Sequence, residues 1–405
     1  MEGSIIGRLM IFLLLSAAIH AAGPTAYVIN ATGETLSKID LRTKTVTNDI
    51  EPLGSDIDSY PNQIIVRDTL AYVAASGTDE IQIINLRTER TVGWIRFGAG
   101  QNPYWMAFLN DQVLYVTLLV DNSLAKVDLT TRQVVKTTSV GLSPEGVIVL
   151  NGTAFVAVTG YDFGSWSWKQ GKVIVYDTRT DSVVDEINVG KNPQFLDIDR
   201  QGWLHVSCTG DYGATPGTIY VIDPGAREVL DSIAIGGQPG QISIGPDDIG
   251  YLAAGGWTGD GEVYTYHAVT GDVLRGPSNP IYVDSGATGV VAFQDSSALV
   301  ACFGDKINRV NAAGQKLGTY VMGDGPGHLD FNHIPGDATG DWEVNVGDAV
   351  YIVNYIFKNG SRPPMPAWRA DANADGAINV GDAVCLINYI FKGGPRPMVG
   401  ATWLR

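Results

Sequence analysis

Oxygen-bearing side chains recur at a fixed spacing twice near the C-terminus of this 405-residue chain. The first run is Asp337, Thr339, Asp341, Glu343, Asn345 and Asp348. The second, 34 residues further on, is Asp371, Asn373, Asp375, Ala377, Asn379 and Asp382. Positions 1, 3, 5, 9 and 12 of each twelve-residue segment carry an oxygen, the spacing with which a loop wraps Ca²⁺, a hard cation that takes roughly six to eight oxygen ligands. The seventh position needs only a backbone carbonyl, so Ala377 can stand there, and Asn379 is placed to act through a water. Gly376 occupies the point where such a loop turns sharply with positive φ, which glycine tolerates best. Trp342 stands at that point in the first copy, at a cost of about 1 kcal/mol or more in backbone strain. Two Ca²⁺ sites are therefore expected, the second the stronger.

Each loop runs into nearly the same apolar segment, AVYIVNYIFKNG or AVCLINYIFKGG. These predict helices over 347–357 and 381–391, closed by Lys358 or Lys392, by Gly360 or Gly393, and by prolines beyond. No helical pattern precedes either loop, so each copy is half of an EF-hand. The pair, from Gly336 to about Pro397, resembles type I dockerin modules. The resemblance implies a small α-helical module that folds around two Ca²⁺ and docks onto a cohesin-like partner on a scaffold or cell-surface protein. It also implies that loop positions 10 and 11 and the exit helix face that partner. Those positions are Val346 and Gly347, then Val380 and Gly381; their identity would permit docking in two orientations. The Ser-Thr pair of cellulosomal dockerins is absent here.

Ahead of this module the chain repeats itself from Gly23 to Phe331 with a period of about 45 residues, in the range of propeller blades. An aromatic-valine strand recurs at Tyr27, Tyr72, Tyr115, Phe155, His205, Tyr251 and Leu299. A turn feeding an apolar strand recurs at Pro61, Pro103, Pro144, Pro193, Pro239, Gly286 and Pro326. A third strand ends in an acid or amide and a turn, as in SKIDLRT and IVYDTRT. Short, β-branched, turn-bounded strands, four to a repeat, predict a mainly β fold, a seven-bladed propeller. The array starts without an inner strand and ends with a lone one, which predicts ring closure by the C-terminal inner strand. The pattern resembles the YVTN/NHL-type seven-bladed propellers. The expected division is a signal peptide at 1–22, the propeller at 23–332, the dockerin-like module at 336–397 and a short tail at 398–405.

Composition narrows the partners. A formal charge of −16 with no Lys/Arg cluster excludes nucleic acid and anionic membranes as attractive surfaces. Arg8, the apolar run Leu9–Ile19 and the small residues after it read as a secretory signal cleaved near Ala21 or Ala22, and no segment is long enough to span a membrane. The protein is expected to be secreted. Cys208, Cys302 and Cys385 have neither disulfide nor zinc spacing.

No nucleophile elbow, HExxH helix or phosphate loop appears. His205 reads as core packing, whereas His328 lies on the closing strand near the channel. The distinctive part of the propeller is three expanded loops on neighbouring blades, starting at Gly160, Gly210 and Gly255. They carry Tyr161, Phe163, Trp166, Trp168, Asp211, Tyr212 and Trp257, which together form a candidate ligand face for a carbohydrate or protein. The expected function is a non-catalytic recognition protein attached through its calcium module. The alternative is a propeller enzyme of polysaccharide breakdown, a hydrolase or lyase, or a lactonase-like hydrolase.

Overall fold

The computed structural model describes residues 24–256, 259–293, 295–360, 363 and 367–398. The expected signal peptide, Trp257 and most of the tail lie outside these residues.

Seven antiparallel sheets form the propeller, six of four strands and one of five. The fifth strand, Ile281–Val283, pairs beside Val273–Arg275 on the outermost side of blade 6. Each hairpin is set by local chemistry. The residue that ends the third strand accepts the N–H groups two and three positions on: Asp40 from Arg42 and Thr43, Asp128 from Thr130 and Thr131, Asp177 from Arg179 and Thr180. That is the Asx-turn, and it explains why the third repeat landmark carries an acid or amide. Ring closure follows the expected register: Pro326–Phe331 pairs with Thr25–Asn30, Ala26 facing Phe331 and Val28 facing Leu329. The first blade is thus built from both ends of the array.

Inner strands of neighbouring blades are joined by side chains in place of a ladder. Gln63 of blade 2 accepts the Met106 N–H of blade 3 at 2.6 Å. His328 Nδ1 accepts the Ile64 N–H at 3.2 Å, and Asp330 the Val66 N–H at 2.7 Å. Asp197 accepts from Ile244, Gln241 from Val290, and Ser243 from Ala292. These polar groups satisfy backbone donors that the channel would otherwise leave unpaired. Blade-to-blade packing supplies the rest of the core, as where Ile148 and Phe155 of blade 4 cluster with Ile198 and Val206 of blade 5.

His328 must be neutral to accept that bond, and burial lowers its pKa from 6.5 to about 4. A depressed histidine contributes stability that is present above pH 6.5 and lost as pH falls through about 4. Thermal denaturation should therefore show the propeller weakening by a few kcal/mol over that window. In His328→Gln, which keeps an acceptor without a proton site, this part of the acid sensitivity should disappear; an unchanged pH slope would contradict the assignment.

Candidate functional site

Two helices follow the acidic loops, α1 (Val346–Phe357) and α2 (Val380–Lys392). Among the described residues, the helical element before the second loop is a short 3₁₀ turn, Ala367–Ala370. Each helix opens on a capping box in which Asn345 or Asn379 is the N-cap and Asp348 or Asp382 the third residue. Asn345 Oδ1 accepts the Gly347 N–H at 2.7 Å and Asn379 Oδ1 the Gly381 N–H at 2.6 Å. Both asparagines, expected at the metal site, supply the N-cap oxygens of the two helices. Glu343, like Asp341, is exposed.

In the first loop Asp337, Asp341 and Asp348 bring carboxylate oxygens within 4.8 Å of one another. Thr339 Oγ1 donates to Asp348 Oδ1 at 3.0 Å. In the second loop the buried Asp371 and Asp382 are held by backbone N–H groups, from Asp375 and Gly376 and from Asn373 and Asn379 respectively. There the side-chain amides of Asn373 and Asn379 donate to Asp375. The donor sets of both loops suit a hard oxygen-seeking cation, and burial pushes Asp337 and Asp382 up to about 6. Carboxylates gathered in this way favour either protons or a divalent cation.

The first loop also binds the propeller. Trp342 takes φ 71 where the second loop has Gly376 at φ 88. Its buried indole stacks between His333 (6.0 Å, 14°) and Phe293 (6.1 Å, 16°), with Phe331 edge-on at 6.0 Å. It belongs to the same core cluster as Val28, Leu299 and Leu329 of blades 1 and 7. Behind the loop the buried Arg369 guanidinium lies 3.4 Å from Asp337, and its carbonyl accepts the Gly336 N–H at 2.8 Å. A cavity of about 270 Å³ at this end of the channel is lined by Asp197, Asp199, Arg200 and Asp330, and by Pro363 from between the two calcium repeats. Its acids are already engaged: Asp199 holds the Gln201 and Trp203 N–H groups, and Asp330 the Val66 and Phe331 N–H groups.

At the opposite end stand the expanded loops. Tyr161 and Trp168 face each other across a two-residue hairpin at 4.7 Å; Tyr161 meets Phe163 at 5.1 Å and Trp168 meets Tyr212 at 6.3 Å. These four rings gather as expected, and Phe163, Trp166 and Tyr212 are exposed. Asp211 differs from the rest. Its carboxylate holds its own loop through Gly213, Thr215 and Lys191, which drives its pKa well down and makes it a scaffold for the face. The residue after each landmark proline or glycine turn is half-buried at this mouth: Asn62, Tyr104, Glu145 and Gln194 on one side, Gly240, Thr288 and Gly327 on the other. The sequence reading missed Tyr104, Glu145 and Gln194; aligning the seven repeats at the residue after that turn would have exposed them. His205, read as core, is buried with Nδ1 2.8 Å from the Tyr266 hydroxyl and Nε2 3.4 Å from Asp199.

The molecule is thus a seven-bladed β-propeller carrying a tandem loop-helix module at one end. Residues 335–391 match the dockerin type I domain, and that part of the chain is a dockerin. Dockerin domains bind calcium and cohesin modules, and proteins that carry them are typically extracellular or at the cell surface. No curated protein matches the chain. Among solved structures it is similar to the hydrazine synthase of Kuenenia stuttgartiensis (16% identity, TM-score 0.58, 68% of this chain and 90% of that one). It is also similar to a functionally unknown protein from Desulfotomaculum acetoxidans (12% identity, TM-score 0.59, 76% and 98%) and to the Pan2 WD40 domain of Neurospora crassa (13%, TM-score 0.51, 67% and 82%). At these identities the likeness is one of fold. Among the described residues no helix is long and apolar enough to cross a membrane.

Replacing Trp342 by glycine should relieve the strained turn and remove the indole from the propeller. Calorimetric titration should show tighter calcium binding at the first loop, while the junction loses roughly 3 kcal/mol or more and becomes sensitive to proteolysis between 332 and 336. Unchanged protease resistance would contradict the seating of Trp342.

Proposed function

We propose that this is a secreted, non-catalytic recognition protein whose dockerin holds two Ca²⁺, the second loop more tightly, and docks onto a cohesin-like module. The observation that carries the docking reading is a matched apolar stripe on both helices. Val346 and Val380 are 48% and 52% exposed, Val350 and Val384 53% and 52%, Phe357 and Phe391 67% and 65%. Exposed valines and phenylalanines at the same positions of two related helices are unfavourable in water unless a partner covers them. Gly347 and Gly381 lie beside the stripe in both copies. The stripe is two-fold repeated, so it supports docking in either of two orientations.

In this reading Asp337, Thr339, Asp341 and Asp348 hold one ion with the Glu343 carbonyl. Asp371, Asn373, Asp375 and Asp382 hold the other with the Ala377 carbonyl. Calcium supplies charge neutralisation for the gathered acids; the chain's part is to fix Asp348 and Asp382 at the helix N-termini, so that loop closure and helix capping share one carboxylate. The propeller then presents Tyr161, Phe163, Trp166, Trp168 and Tyr212 at the end remote from the dock, with Trp257 assigned to the same face. A recognition role is supported over glycoside hydrolysis because Asp197, Asp199 and Asp330, the acids gathered in the channel cavity, are each committed to backbone N–H groups.

Pull-down of cohesin modules by the whole protein tests the docking reading. Val350→Asp or Val384→Asp alone should leave capture nearly intact, because the other orientation remains; the double variant should abolish it, as should a calcium chelator. Capture that survives both the double variant and chelation would refute it.

A further inference from the structure

The propeller mouth differs between its two sides. Side chains take a backbone N–H of the next inner strand from blades 1 to 2, 2 to 3, 5 to 6 and 6 to 7; among the described residues, no inner-strand side chain takes one from blade 3 to 4 or from 4 to 5. There the inner strands instead present Tyr104, Trp105, Glu145, Gln194 and Phe195. Trp105 reaches across the channel to lie 5.0 Å from both Phe195 and His328, edge to face with each. It lies across the channel beneath the half-buried Tyr104, Glu145 and Gln194, and we call the mouth above it the cup.

The polar walls of that cup are satisfied only in part: Gln194 Oε1 accepts from Thr209 Oγ1 at 2.5 Å. Glu145 Oε2 is buried without a hydrogen-bond partner, and Asn192, with no exposed surface, pairs neither its Oδ1 nor its Nδ2. Buried polar atoms of this kind cost about 1–3 kcal/mol each, so three in one place require an explanation. Side chains of three blades converge on them. Tyr104 and Tyr212 both lie within electrostatic reach of Glu145, and the Tyr212 side chain stays on the rim. Burial pushes Glu145 up to about 8, so near neutrality it is an uncharged acid, a donor as well as an acceptor. Lys191, the nearby cation, is paired with Asp211 at 3.0 Å. The opposite side is kept open: side chains at Gly240 and Gly327 would meet only Ala253 O at 3.4 Å and Ala31 Cβ at 3.3 Å, and neither glycine has positive φ. The backbone does not demand glycine at either position, so what the two glycines preserve is space.

We infer that this cup binds one neutral sugar ring of a glycan, with its hydroxyls on Asn192, Glu145 and Gln194 and its C–H face against Tyr212 and Trp168. Amide and carboxylic-acid groups each give and take hydrogen bonds, as sugar hydroxyls do. The site has no unpaired charge with which to recognise an ion, and flat rings around a polar pocket suit a ligand with one apolar face. The inference rests on the reading of this end as the ligand face and names the ligand's class.

The test is calorimetric titration of the whole calcium-loaded protein with neutral tetrasaccharides of glucose, xylose, mannose and galactose. At least one should bind. Glu145→Leu should weaken it about tenfold or more, since it leaves sugar hydroxyls unpaired. Gly240→Leu, which fills the cup from the far side and touches no polar wall, should do the same while the melting temperature holds. Binding lost in Trp168→Ala but kept in both cup variants would place sugar on the rim alone and overturn the cup. Binding of none of the tetrasaccharides overturns the sugar assignment; capture of a protein ligand that needs Trp168 would then leave the face reading standing.

Discussion

Trp342 is the constraint on which the rest of the molecule depends. It holds a left-handed backbone at a point where the sister loop uses glycine, and its indole N–H is buried without a partner. Those two penalties amount to roughly 2–4 kcal/mol. Against them stand burial of a large aromatic side chain and three ring contacts, worth about 0.5–1.5 kcal/mol apiece beyond burial. Packing wins, and a calcium loop becomes part of the propeller core. The consequence is geometric. The dock sits under blades 1 and 7, its apolar stripe faces outward, and the aromatic face stands at the other end of the channel.

The channel between them is filled largely by structural duty. His328, Asp330, Gln63, Asp197 and Gln241 would each read as a functional polar group in isolation, yet each accepts a backbone N–H of the next blade. A propeller leaves one edge of every inner strand facing its neighbour, and these side chains answer that need. Polar groups without such a duty are therefore the informative ones. Glu145 and Asn192 are two of these, on blades 4 and 5 at the end of the channel that carries the exposed aromatics.

Much of this was legible in the sequence because its cause is local. An Asx-turn needs an acid or amide at one position, a calcium loop needs oxygens at fixed offsets, and a ring missing one inner strand must recover it from the other end. Seven blades, closure by Pro326–Phe331 and the dockerin followed from those rules. What was not legible depends on distant packing. Trp342 read as a defect of its loop because nothing local reveals Phe293, Phe331 and His333 waiting for it. Asn345 and Asn379 read from spacing as metal-site residues, and spacing was silent on the N-cap that each supplies. Glu145 could be placed by aligning the repeats, but its meaning and that of Asn192 lie in the partners they lack, which no sequence position reveals.

The account's central claim is that dock and ligand face are fixed at opposite ends of one rigid body. It is tested most directly by pulsed electron resonance between one spin label at the exposed Lys169, on the loop that carries Trp168, and one at Val384 of α2. The account predicts a single narrow distance distribution, the same with and without a bound partner, that broadens only when Trp342 is removed. A broad or multiple distribution in the unaltered protein would contradict it.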